Sequence, residues 1–395
     1  MTMTQTELRA APADGVDIWN RDDMEPRVRE ILDRTVRDRA TGPYSAKTDA
    51  EIVAMLQRFY AAQGLSEIAI SDVQRMAGGA SKEQFAYLLR HSGDAAGERL
   101  VLRMDPLEAI AQTCRGREAQ LHDALGSVLP VAPVRGLDVN GVVLGQPAII
   151  LGFVDGVTEP TDSKGHGVSG MGSNYGDWAD KLAPQFIGAL ATIHGFDRSN
   201  SDLSYFAEPT PGTRQAAIWQ VNAWSKLWWD GLIQPVPVIT YAERWLRENA
   251  PVCENPVICH CDLRIGNFMF EEPSGKFTAV LDWELAHIGD FHEDLAWACQ
   301  RLFGMLDENG EFLVSGLISR PEFLRRYEEA SGNRVDPDRL RYYEVLNAYK
   351  CAVMDLGQAI RAATESNNHQ DLVLTWLASA GAVFLAQMVQ LIREA

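Results

Sequence analysis

The segment His260-Cys261-Asp262-Leu263-Arg264-Ile265-Gly266-Asn267 constrains this chain more than any other. Apolar Pro256-Val257-Ile258 runs into it and Phe268-Met269-Phe270 leads out of it, so its polar residues sit between two buried strand ends. A second apolar run, Phe277-Thr278-Ala279-Val280-Leu281, ends at Asp282, fifteen residues after Asn267. The stretch between reads as a short hairpin. One Asp and one Asn on a loop are ordinary turn chemistry. The ordered set is different: His, Asp two later, Asn five after that Asp, and a second Asp closing a hairpin. Transfer of a phosphoryl group needs positioning and charge neutralisation above all. Asp262 suits the base that takes a proton from an acceptor hydroxyl. Asn267 and Asp282 offer the hard oxygen ligands that Mg²⁺ prefers. Arg264 suits the cation beside the transferring group.

These residues resemble the aminoglycoside phosphotransferase family, a branch of the protein-kinase-like fold. Within it the chain is most similar to the kinase domains associated with acyl-CoA dehydrogenases. Further matching stretches are Gly78-Gly79-Ala80-Ser81-Lys82-Glu83, Leu100-Val101-Leu102-Arg103, Arg117-Glu118, Ala279 to Glu284, Gly289-Asp290 and Asp294-Leu295-Ala296-Trp297. Together they cover about residues 66–395. The resemblance implies an α+β, two-lobed fold, with a small β-rich N-lobe over 66–152 and a larger, mainly helical C-lobe over 153–395. It implies ATP and Mg²⁺ between the lobes and a small-molecule hydroxyl compound as acceptor.

Residue by residue, Gly78, Gly79 and Ser81 fall where a loop approaches the nucleotide phosphates. Arg103 stands where protein kinases usually carry a strand lysine, and it is expected to pair with Glu118 on the next helix. Leu151 and Phe153 fall at the hinge that meets adenine. His260 and Asp294 are expected to hold the catalytic loop rather than react. The family commonly has glycine at the Cys261 position, so a thiol beside the base is expected to make the site sensitive to thiol reagents.

The formal net charge of −18 argues against nucleic acid as a partner and against an anionic membrane surface. The most apolar stretch, 380–392, is short and broken by Gln387 and Gln390, so no membrane span is expected. Six scattered cysteines and the absence of an apolar leader point to the cytoplasm. A zinc site at Cys259-His260-Cys261 is not expected. No CxxC or HxxxH partner exists, and alternate residues of extended chain point opposite ways.

Residues 1–65 read as an extension, disordered over 1–22 and then helical over 24–38 and 49–63. Strands are expected at 68–76, 84–90, 98–104 and 148–154, and a helix over 112–125. The C-lobe is expected to hold a polar loop over 157–176, then helices over 180–195 and 215–229, the latter rich in Trp, and closing helices over 321–329, 336–356 and 372–392. Two other readings stay open: an aminoglycoside-type antibiotic kinase, and a non-catalytic nucleotide-binding regulator on the same fold. Neither the acceptor, the choice of ATP over GTP, nor the oligomeric state is written in these residues.

Overall fold

The computed structural model describes residues 14–39, 43–76, 81–93, 96–111, 113–162 and 175–395. Ahead of the first lobe stand α1 (Pro26–Arg37) and α2 (Asp49–Ala62). Thr48 and Glu51 cap α2 reciprocally, each side chain taking the other's backbone N–H. The N-lobe sheet has β1 (Ile68–Arg75), β2 (Glu83–His91) and β3 (Glu98–Met104). After α3 (Arg115–Leu125) come β4 (Val134–Asp138) and β5 (Ala148–Gly152). Every pairing is antiparallel, in the order β1-β2-β3-β5-β4.

Alternation along β2 buries Phe85, Tyr87 and Leu89 on one face, where they meet Ile52, Leu56 and Phe59 of α2. The opposite face receives α3 through Ala119, packed with Ile149 and Leu151. Leu121 and Leu125 of the same helix join the C-lobe core instead. The strand β4 escaped the sequence reading because Val134-Arg135-Gly136-Leu137-Asp138 is short and interrupted by glycine.

In the C-lobe, α4 (Ala179–His194), α5 (Gln215–Asp230) and α6 (Pro237–Glu248) precede the site. Then β6 (Val257–Cys259) pairs with β9 (His287–Gly289), and between them β7 (Phe268–Phe270) and β8 (Phe277–Val280) form the expected hairpin. Behind lie α7 (His292–Ala298), a small sheet of β10 (Met305–Leu306), β11 (Phe312–Val314) and β12 (Ile318–Ser319), α8 (Arg320–Ser331) and α9 (Pro337–Val353). The single helix expected over 336–356 ends sooner. At Met354 it widens into a π turn, Met354–Ala359, which leads to α10 (Ile360–Glu365) and α11 (Asp371–Glu394). Gly357 sits in that turn directly against the Trp228 ring.

Two expectations change. Residues 14–22 are ordered on the C-lobe: Asp14 pairs with Arg214 at 2.9 Å and Val16 enters the core. Residues 1–13 lie outside the described residues, as does 163–174 of the expected 157–176 loop. Among the described residues, α11 is by length and composition able to cross a membrane, because Val373, Leu374 and Leu377 extend the apolar run ahead of Ala380. Its Phe384, Met388 and Ile392 nevertheless face inward to the C-lobe core. Trp224 and Trp228 are also core residues, and Trp219 donates to Asp23 at 2.7 Å.

Candidate active site

The loop over 260–267 leaves β6 at Cys259 and is anchored by Asp294 in the first turn of α7. Asp294 Oδ2 accepts the His260 N–H at 2.8 Å and the His194 Nε2–H at 2.9 Å. Its Oδ1 accepts the Cys261 N–H. One buried carboxylate thus satisfies two successive loop amides that would otherwise be stranded away from water. Burial works against its charge, but the His194 bond holds its pKa below the usual range.

His260 locks the loop from the other side. Its Nδ1 accepts the Asp262 N–H at 3.1 Å, so Nε2 carries the proton and donates to Leu281 O at 2.9 Å. Leu281 N–H in turn donates to Asn267 O at 2.9 Å. The hairpin therefore brings Asn267 and Asp282 together at the end of the catalytic loop, as its length requires.

Asp262 is nearly covered, with 14% of its side chain exposed. Its Oδ1 accepts from Trp297 Nε1 at 3.0 Å and Arg264 Nε at 2.9 Å, and its Oδ2 accepts from Asn267 Nδ2 at 2.6 Å. Burial lifts the carboxyl to about 6, against the downward pull of the Arg264 guanidinium. Arg264 itself lies over the Phe303 ring at 4.8 Å.

Across the cleft, Arg103 on β3 donates to Glu118 of α3 at 2.8 Å and also bonds Asp282. Glu118 takes a second partner, Arg115. Burial favours a protonated Glu118, yet Arg115 and Arg103 hold its pKa at about 2. Asp282 is a third exposed and sits in the left-handed region, with φ of 58°. Such a conformation outside glycine marks a backbone held in place by its surroundings.

Of the other expected site residues, Gly78 and Gly79 lie outside the described residues. Ser81 stands at the entry to β2. Leu151 is buried within β5, paired with Val101. Phe153 follows it with its N–H bonded to Arg99 O at 3.0 Å and its ring under the Arg99 guanidinium at 3.6 Å.

The sequence reading did not single out Lys82 and Arg115. Lys82 is buried, 2.8 Å from Thr113 Oγ1, 3.0 Å from Asp105 and 3.5 Å from Glu284. Arg115 reaches Asp105 at 3.1 Å. Three cations and four carboxylates thus converge where the lobes meet. A single lysine after a glycine turn carries no sequence signal of this. The expected thiol sensitivity of Cys261 is corrected: its side chain is fully buried, and burial drives its pKa well above the usual thiol range.

A β-rich lobe with a strand cation paired to a helix glutamate, set over a loop that presents Asp, Asn and a second Asp, is the architecture of the kinase-like phosphotransferases. The chain belongs to the phosphotransferase enzyme family, whose model matches residues 72–343. Among curated proteins it is similar to acyl-CoA dehydrogenase family member 11 of Gallus gallus, 27% identical over 209 residues. That match takes in 49% of this chain but only 26% of the relative, so the chain spans about a quarter of that protein. Among solved structures it is similar to a Ralstonia eutropha protein assigned as an aminoglycoside phosphotransferase. The two are 20% identical with a TM-score of 0.62, over 88% of this chain and 99% of that one. It also resembles choline kinase LicA of Streptococcus pneumoniae, at 14% identity and a TM-score of 0.52, over 85% and 99% respectively. At such identities the structural likeness bears on the fold.

Proposed function

We propose that this chain moves the γ-phosphate of ATP to a hydroxyl of a small metabolic molecule, with Asp262 as the base. The observation that carries this reading is the Asp262 carboxylate, held by Trp297, Arg264 and Asn267 and buried enough to rise to about 6. At neutral pH it is ionised yet more basic than an exposed carboxylate, which suits general-base work.

In the step itself the acceptor oxygen bonds to the γ-phosphorus, the bond from that phosphorus to the bridging oxygen breaks, and ADP leaves. The hydroxyl proton passes to Asp262. Arg264, oriented on Asp262 and on Ile265 O at 2.8 Å, adds positive charge beside the transferring group. Asn267 and Asp282 fit a magnesium ion. Both offer oxygen, the Leu281–Asn267 bond joins them, and the Asp282 carboxylate already faces a cation in Arg103. Bound there, Mg²⁺ would offset charge on the nucleotide phosphates. From the N-lobe, Arg103 and Lys82 supply further positive charge. Ser81, the adjoining Gly78 and Gly79, and the hinge at Leu151 and Phe153 would hold the nucleotide.

For the acceptor, the acyl-CoA dehydrogenase name of the curated relative supports a hydroxyacyl thioester over an antibiotic. Six free and buried cysteines suit a reducing compartment such as the cytoplasm. The test is transfer of labelled γ-phosphate to hydroxyacyl-CoA esters, choline, aminoglycosides and macrolides, with Asp262→Asn beside the wild type. Transfer to the thioester is expected, falling by roughly 10²–10⁴ in the variant. Equal turnover in Asp262→Asn would remove Asp262 from the role of base.

A further inference from the structure

Next to the loop that carries Asp262, a second constellation is buried. Cys261 Sγ, a ring nitrogen of His287 and a carboxylate oxygen of Glu293 all lie within 4.8 Å of one another. All three side chains are buried. They come from three separate pieces of chain: the loop, β9 and the first turn of α7. Cys259 stands directly opposite His287 in the β6–β9 register, with its thiol donating to Asp290 O at 3.4 Å.

No spaced CxxC or HxxxH pair accompanies Cys259 and Cys261, and as alternate residues of extended chain they are expected to point opposite ways. At Cys261 a left-handed φ of 57° breaks that alternation. Its thiol consequently turns back to hydrogen-bonding contact with that of Cys259.

We propose that Cys261, His287 and Glu293, with the Cys259 thiol turned from Asp290 O to take the fourth place, form a closed structural zinc site. Thiolate, imidazole and carboxylate are the zinc donor set, and four protein ligands with no open position mark a structural rather than a catalytic centre. Supporting contacts already stand around it. His287 Nδ1 faces Leu285 O at 3.3 Å, the outer hydrogen bond that leaves Nε2 to face inward. That Nε2 lies 3.2 Å from Glu293 Oε2. Lys350 holds the other Glu293 oxygen, Oε1, and Asn347 Nδ2 bonds the Glu293 carbonyl at 2.8 Å.

Space is reserved as well. A Cβ on Gly289 would come 2.9 Å from His287 Nε2 and 3.7 Å from Cys259 Sγ, so glycine keeps the pocket open between two of the donors. Charge closes too. Two thiolates and one carboxylate around a dication leave one net negative charge, and the Lys350 ammonium supplies the balancing positive one. Such an ion would pin the residue between His260 and Asp262 to β9 and α7, and so brace the loop from behind.

The test uses the full chain purified without added metal, with elemental analysis and with cobalt exchanged for zinc. About one zinc per chain is expected, together with a near-ultraviolet thiolate-to-cobalt charge-transfer band. Both are expected to fall at least about tenfold in Cys261→Ser and in His287→Gln, while Cys299→Ser, away from the cluster, leaves them unchanged. If the cluster variants fail to fold, the wild type decides alone. Wild-type chain with less than about a tenth of an equivalent of metal and no charge-transfer band overturns the proposal, as does a band of undiminished intensity in Cys261→Ser.

Discussion

Asp262 takes its hydrogen bonds from residues two and five positions away and from one tryptophan, whereas Arg103 is held by carboxylates from α3 and from the far end of the β7–β8 hairpin. The loop around Asp262 is built mostly from amides, an imidazole and an indole, with Arg264 the cation on Asp262 and Asp294 the carboxylate that anchors the loop. The Arg103 cluster is built from charges, with Lys82, Arg103 and Arg115 opposed by Asp105, Glu118, Asp282 and Glu284. Directional bonds over a short segment fix a carboxylate to within the tolerance that proton transfer needs. A charge cluster tolerates small shifts, because each cation has several partners and the attraction changes slowly with distance. Under the proposed function that difference suits two tasks: one would place an atom, the other would offset charge on a flexible polyphosphate.

The sharpest way to break the contrast is Asp294→Ala. It strands the His260 and Cys261 amides and leaves His194 without its buried partner. A loss of about 3–5 kcal/mol is expected, read as a lower denaturant midpoint together with lost turnover. If stability moves while turnover of the folded fraction does not, the loop does not depend on this anchor.

Next in size is the pH dependence of kcat/KM. A carboxyl lifted to about 6 works as a base only above that value, so the rate is expected to fall about tenfold per unit as pH drops below 6 and to level off above it. A profile flat from pH 5 to 8 on the order of twofold or less would mean that proton transfer to Asp262 does not limit the reaction.

The smallest effect is expected from Arg103→Lys. The ammonium keeps the charge but cannot span Glu118 and Asp282 as the fork does. A rise in the KM for ATP of roughly three- to tenfold, with kcat less affected, is expected from initial rates. A loss as large as that of Asp262→Asn would show that the cluster places atoms as strictly as the loop does.

Legibility followed the same division. The loop and hairpin could be read because their donors and acceptors lie close in sequence between apolar runs. Likewise α4 and α5 carry long helical periodicity and matched the expected spans to within a residue or two. The Arg103–Glu118 pair was reachable only through the family resemblance. Lys82 and Arg115 were not, since an isolated charge looks the same whether it faces water or a buried carboxylate. The strand β9, only His287–Gly289, is too short to show a period. Its pairing with β6 nevertheless decides where Cys259 and His287 meet. Residues 14–22 looked disordered from composition, yet long-range pairs such as Asp14 with Arg214, Ile18 O with Arg247 and Asn20 O with Asn222 tie them to distant helices.

By itself the sequence, through the family resemblance that its loop and hairpin carry, determined the two-lobed α+β class and the order of the main elements, because that motif depends on side-chain type and short spacing. Tertiary structure alone decided which charges converge on Glu118, how far burial lifts Asp262, and which way the Cys261 thiol turns. Each depends on long-range contacts, desolvation and one left-handed residue, and none of these leaves a periodic mark in the chain.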